Sequence, residues 1–171
     1  MSFKDLQTFI KELEKKGELV RIKAEVDPEL EITEITDRVS KNYGPALLFE
    51  NVKGSKYPVL INAMGTYERM AMALGVEKIN DIGEGISEFI DMSNYLGLMN
   101  KFKSLPKLSR MASVFPIKLP TKGACQEVIN HDPDLNELPI LKCWPEDGGK
   151  FITLPLVTTI DPETGIQNMG M

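Results

Sequence analysis

Histidine is almost missing from this chain. His131 stands alone, beside only two cysteines, Cys125 and Cys143, and a single tryptophan, Trp144. One imidazole and two thiols fall short of a four-ligand zinc site. Two cysteines with seventeen residues between them make no disulfide framework. Basic charge is also short: 20 Lys and Arg face 25 Asp and Glu, for a net charge of -5. A nucleic-acid groove wants a basic face to displace counterions, and none is offered. There is no polybasic signal for anionic membranes either. The apolar runs are far shorter than the ~20 residues a membrane helix needs. The opening Met1-Ser2-Phe3-Lys4-Asp5 turns acidic at once, so no signal peptide is expected. The default setting is then a reduced cytoplasm. Short chemical motifs are lacking too: there is no phosphate-binding Gly-rich loop, Gly-x-Ser-x-Gly, His-Glu-x-x-His or Cys-x-x-Cys.

What is present is an ordinary globular mixture, 42% hydrophobic and 26% charged over 171 residues. Ser2 reads as a helix N-cap with Asp5 as its capping-box partner. Phe3, Leu6, Phe9, Ile10 and Leu13 follow at helical spacing, and Gly17 stops the helix. Leu19 to Ile22 reads as a strand. Asp27-Pro28 opens a second helix, with Asp27 as cap and Ile32, Ile35 and Val39 as its apolar stripe. Asn42-Tyr43-Gly44-Pro45 breaks it. Ala46 to Glu50 and Pro58 to Asn62 read as strands. Thr66 caps a helix over Tyr67 to Leu74, closed by Gly75. Asp81 opens another, carrying Ile82, Ile86, Phe89 and Ile90. This alternation predicts an α+β fold, an α/β-type N-terminal domain with a mixed sheet over residues 1–95.

Residues 96–122 are lysine-studded, with prolines at 106, 116 and 120, and read as a connector. A second unit is expected over 123–171. Gln126 to Ile129 reads as a strand, Asp132 to Pro139 as a turn or single helical turn. Phe151 to Ile160 is rich in β-branched residues and reads as a strand. It leads through the turn Asp161-Pro162-Glu163-Thr164-Gly165 into a partner strand from Ile166 to Met171. A chain ending inside a strand suggests a piece of something longer.

Several residues invite a chemical reading. His131 precedes Asp132-Pro133 and reads as a solvated surface histidine. Cys125 and Cys143 read as buried inert thiols. Cys143-Trp144-Pro145-Glu146-Asp147-Gly148-Gly149 reads as a tight loop with Trp144 packed on the core. The glycines also allow a loop shaped to approach a ligand. The run Gly65 to Met70 reads as a capped structural helix rather than a phosphate site. Asn168 sits mid-strand, where amides are disfavoured. It is either a solvent-facing filler or a hard carbonyl ligand for a divalent cation. With Asp161 to Gly165 as the whole loop, Thr158 faces Asn168, which then shares a face with Leu156.

Four stretches resemble one family: FKDLQTFIKELEKKGELVRI (3–22), GPALLFEN (44–51), PVLINAMGTYERMAMALG (58–75) and, most specifically, LPILKCWPEDGGKFITLPLV with DPETGIQNMGM (138–171). The chain resembles the N-terminal portion of the UbiD-like decarboxylases, and is most similar to the branch associated with menaquinone-type quinone biosynthesis.

The resemblance implies a carboxy-lyase that reversibly decarboxylates aromatic or α,β-unsaturated acids. It implies prenylated FMN, with manganese and potassium at its phosphate, in a split β-barrel domain that would begin within 123–171. The flavin supplies the electron sink, and the protein supplies orientation and proton transfer. A homo-oligomer is implied for the full-length protein. Residue by residue, Asn168 matches the family's metal-ligating asparagine in an Asn-x-Gly-Met-Tyr-Arg type motif. Met171 falls where the family's backbone begins to contact the flavin, and Thr153 lies on the strand approaching it. Neither His131 nor any acid here sits in a matching motif, so no catalytic residue is inherited. The alternative is a non-catalytic truncated homologue acting as an assembly or interaction module.

Overall fold

The computed structural model describes residues 3–94 and 120–170. Its centre is a three-stranded sheet ordered β1 (Leu19–Val26), β2 (Ala46–Val52), β3 (Val59–Ile61). β1 pairs parallel with β2, and β2 antiparallel with β3. The sheet is therefore mixed, as the alternation of elements predicts. β2 is buried on both faces, which suits its unbroken apolar run Ala46-Leu47-Leu48-Phe49.

The period-two pleat divides those residues between two cores. Ala46 and Leu48 join Phe9, Ile10 and Leu13 of α1 (Leu6–Lys15), with Met72 and Ala73 of α3 (Tyr67–Leu74) packed against them. Leu47 and Phe49 point the other way. They meet Ile32 of α2 (Glu31–Lys41), with Ile35 and Val39 partly buried beside it, and Leu141 from far along the chain. The apolar spacings read in the first and second helices thus face opposite sides of one sheet.

Local chemistry sets most boundaries, with differences from expectation. The cap of α1 is Asp5, not Ser2: its carboxylate accepts from the Thr8 amide and hydroxyl, both at 2.7 Å. The helix consequently starts at Leu6. Asp27-Pro28 does not open α2. The Asp27 carboxylate accepts from the Glu29 amide at 2.9 Å, making a turn, and the helix begins at Glu31. Leu30, at φ 68°, stands outside the helical region just before it. The Leu30 amide donates to the Lys142 carbonyl at 2.9 Å, in a parallel bridge between Glu29 and Lys142. α3 starts and ends as expected, with Thr66 accepting from the Arg69 amide and Gly75 in the left-handed region at φ 71°. α4 spans Asn80–Asn94, and Ile86 on it is exposed. Most of the connector lies outside the described residues.

The second half holds little regular structure. Residues 126–129 form no strand. Ala124–Gln126 is a 3₁₀ turn, and Val128 and Ile129 are exposed. A second 3₁₀ turn, Leu135–Glu137, falls where a single helical turn is expected. β4 (Val157–Ile160) and β5 (Gln167–Gly170) form an antiparallel hairpin. Among the described residues, no helix is long and apolar enough to cross a membrane.

Candidate functional site

The hairpin carries Asn168, and its loop fixes what Asn168 faces. Asp161 organises that loop. Its carboxylate accepts from the Glu163 amide at 2.8 Å and the Thr164 hydroxyl at 2.7 Å. These bonds to the charged form hold the Asp161 carboxyl below the usual aspartate range, the hydroxyl being the largest cause. Gly165 takes φ 69° and donates to the Asp161 carbonyl, and the Asp161 amide donates to the Ile166 carbonyl. Asp161 and Ile166 thereby close the loop together, so Ile166 is not yet in the strand.

The ladder is shifted by one residue from the expected pairing. Asn168 stands opposite Thr159, and Thr158 opposite Met169. A one-residue slip exchanges the faces. Asn168 therefore shares its face with Thr159, Val157 and Gly170, not with Thr158 and Leu156. Every residue of β4 and β5 is exposed.

Thr153 does not lie on a strand. The segment from Phe151 to Leu156 is irregular, and the strand expected from Phe151 begins only at Val157. Two local facts account for this. The Phe151 amide is spent on the Leu141 carbonyl at 3.1 Å. Leu154 sits at φ 58° immediately before Pro155, which has no N–H for a ladder. Thr153 is exposed and, with Phe151 and Ile152, lines an apolar cleft of about 250 Å³ against β3 and residues 138–141. Met171 lies outside the described residues.

The remaining candidates take structural places. His131 is exposed in a bend. Cys143 is free and half-buried against the Phe49 core. The side chain of Cys125 lies outside the described residues. Trp144 is in a tight turn, its amide donating to the Asp147 carboxylate at 2.9 Å, but it is 55% exposed rather than packed on the core.

The Gly65 to Met70 run hides a feature that the sequence reading missed. Arg69 is only 1% exposed, inside the fold. Its guanidinium donates to Glu18 at 2.7 Å and to the Gly44 carbonyl at 3.0 Å. The Asn62 side-chain amide donates to the carbonyls of Gly44 and Pro45. A Cβ at Gly65 would fall 1.9 Å from the Asn62 oxygen, so a larger residue would displace the Asn62 side chain. Residues 69, 72 and 73 share one helical face with the α1 core, so the spacing carried a signal that Arg69 points inward. A concavity of about 670 Å³ opens at this helix start, lined by Glu18, Tyr43, Thr66, Tyr67 and Glu68. Its carboxylates oppose a phosphate, in keeping with the structural reading.

Among the described residues, no group of three or more His, Cys, Asp or Glu side chains could hold a metal ion. Asn168 offers one carbonyl oxygen, and a hard divalent cation takes six or more ligands. The described residues by themselves do not make a complete metal site.

Comparison with known proteins supplies the frame for these pieces. Residues 10–86 match the 3-octaprenyl-4-hydroxybenzoate carboxy-lyase N-terminal domain, and residues 118–171 match the Rift-related domain of the same enzyme. An uncharacterized protein of Aquifex aeolicus is 49% identical over 99% of this chain, which spans 35% of that protein. One from Archaeoglobus fulgidus is 46% identical over the whole chain, again 35% of its own length. The chain thus spans about a third of the curated relatives it matches. Vanillic acid decarboxylase of Sedimentibacter hydroxybenzoicus, in its open form, superposes with a TM-score of 0.66 at 30% identity, over 99% of this chain and 35% of that one. The UbiD-class enzyme HmfF of Pelotomaculum thermopropionicum, solved with FMN, superposes with a TM-score of 0.61 at 26% identity, over 96% of this chain and 32% of that one. The mixed sheet, the hairpin and both matched domains follow in one order, and the chain belongs to the UbiD-like family, matching the N-terminal portion of its members.

Proposed function

We propose that this chain is the N-terminal portion of a carboxy-lyase that reversibly decarboxylates an aromatic or α,β-unsaturated carboxylic acid with prenylated FMN. The observation that carries the reading is the joint match of sheet and hairpin, across nearly all of the chain, to UbiD-class enzymes. A neighbour holds FMN and another acts on vanillic acid, which supports a flavin cofactor and an aromatic acid substrate. A place in quinone biosynthesis or aromatic acid metabolism, in the cytoplasm and as a homo-oligomer, belongs to the same proposal.

In that enzyme Asn168 serves as one ligand of a manganese ion, and Thr153 and Met171 lie beside the flavin, with potassium at its phosphate. The split-barrel domain begins within residues 123–171. The exposed apolar side chains Leu154, Leu156, Ile160, Ile166 and Met169 support this assignment, because such surface asks to be covered. The same surface would serve an interaction module built on this fold without catalysis.

The test is a decarboxylation assay on native protein of natural length, supplied with prenylated FMN and manganese and given a panel of aromatic acids. Carbon dioxide release, or exchange of labelled bicarbonate into the acid, is expected. The 171-residue chain alone is expected to do neither, since the single carbonyl of Asn168 cannot hold the metal by itself. Silence from native protein that has bound flavin would favour the module instead.

A further inference from the structure

The segment from Asp134 to Phe151 is fastened to the first sheet at Glu137 and again from Leu141 to Cys143. The Ser55 hydroxyl donates to the Glu137 carbonyl at 2.9 Å, and Lys56 pairs with the Glu137 carboxylate at 3.4 Å. The Leu30 amide donates to the Lys142 carbonyl and the Lys142 amide to the Pro28 carbonyl, at 2.9 and 3.3 Å. The Lys142 ammonium reaches Glu29 at 3.3 Å. Leu141 is 8% exposed and completes the core formed by Ile32, Leu47 and Phe49, with Cys143 packed beside it. The Phe151 amide then closes back on Leu141. Past Ile152 and Thr153, which still line the cleft against β3, the chain turns outward: Leu154 is 80% exposed and Leu156 75%.

We infer that residues 134–151 are an integral strap of the first folding unit, and that the joint between the two units lies at 152–156 rather than at 123. The physical ground is satisfaction of the core. Without the strap, the Phe49 core loses the apolar side chain that covers it, and the Leu30 amide loses its acceptor at the start of α2. The strap also explains how the hairpin is held. It hangs from the sheet by a short joint with a left-handed residue, Leu154, followed by a proline. The inference concerns folding units alone and does not depend on the decarboxylase reading.

Hydrogen exchange of the intact chain, read amide by amide, tests it, because cooperative units open together. The amides of Leu30, Lys142 and Phe151 are expected to exchange within about tenfold of the β2 amides, and far more slowly than those of β4 and β5. In Leu141→Ala, protection at Ile32 and Phe49 is expected to fall on the order of thirtyfold, as for a buried leucine truncated in a core, with β4 and β5 unchanged. Strap amides that exchange with the hairpin, or Ile32 and Phe49 unmoved by Leu141→Ala, would overturn the inference. The wild-type comparison decides the matter even where the variant does not fold.

Discussion

Asn168 stands directly across the β4–β5 ladder from Thr159, on the face that also carries Val157 and Gly170. That pairing follows from the Asp161 loop, whose closure with Ile166 shifts the register by one. The side chain opposite the candidate ligand is a β-branched residue with a hydroxyl.

Replacing Asn168 by Ala in the full-length protein is expected to lower manganese retention and decarboxylation by at least about tenfold, as losing even an outer partner of a metal site costs that much. Metal content after desalting and turnover check it. Far-UV circular dichroism of Asn168→Ala is expected to match the parent, because the position is exposed. Unchanged metal content would remove Asn168 from the ligand set.

Phe49→Ala is expected to destabilise the chain by about 3–5 kcal/mol, the range for a large aromatic side chain removed from a packed core. Phe49 is fully buried on the α2 side of β2. Leu156→Ala, at an exposed position, is expected to change stability by less than about 0.5 kcal/mol. Urea unfolding of both variants gives the comparison, and equal effects would contradict the two-sided core.

What could be read from the sequence was whatever local chemistry decides. α3 was legible to the residue, because Thr66 and Gly75 sit at its ends and nothing distant interferes. β2 was legible as a strand in its apolar run, but not its burial on both faces. The start of α2 was not, since Leu30 takes a positive φ that a leucine rarely adopts and no local pattern announces. Strand propensity in Phe151 to Leu156 was overruled by the Phe151–Leu141 bond and by Leu154-Pro155. The hairpin register turned on one side chain, Asp161, that builds a longer loop than its glycine suggests. For the candidate site, the hairpin was legible, but the face that Asn168 occupies was not.

Acid is expected to loosen both halves of the chain. Asp5, Glu14, Asp27 and Asp161 each sit below their ordinary range: Asp5 through Thr8, Glu14 through Arg21, Asp27 through Lys53, and Asp161 through Thr164. A carboxyl with a lowered folded value contributes stability that is present above its unfolded value. That contribution is lost as pH falls through the folded one. The window therefore opens near pH ~4 and extends downward. Thermal unfolding from pH 7 to pH 2 should show a midpoint flat above about 5 and falling below it. Asp161→Asn should remove the part of this dependence seen at the Gly165 amide by NMR. A midpoint that rises on acidification would contradict the sign.

The pair Glu18 and Arg69 predicts an asymmetry. Their side chains meet at 2.7 Å, but Arg69 is 1% exposed and Glu18 41%. Removing either partner breaks the same bond, yet what remains differs. Glu18→Ala leaves a buried cation with the Gly44 carbonyl as its remaining partner, and its Nε already lacks one. An unpaired buried charge is costly, about 3–5 kcal/mol where burial is complete. Arg69→Met leaves Glu18 free to be hydrated, fills a similar volume, and keeps Asn62 as a donor to the Gly44 carbonyl. Its cost should be smaller, about 1–2 kcal/mol, in the range of a well-packed apolar replacement with a lost hydrogen bond. Glu18→Gln retains an acceptor and should fall between the two. Urea unfolding of the three variants under one buffer ranks them. Arg69→Met proving worse than Glu18→Ala would mean that the guanidinium stabilises the fold by holding Gly44 and the loop before β2, rather than by needing Glu18.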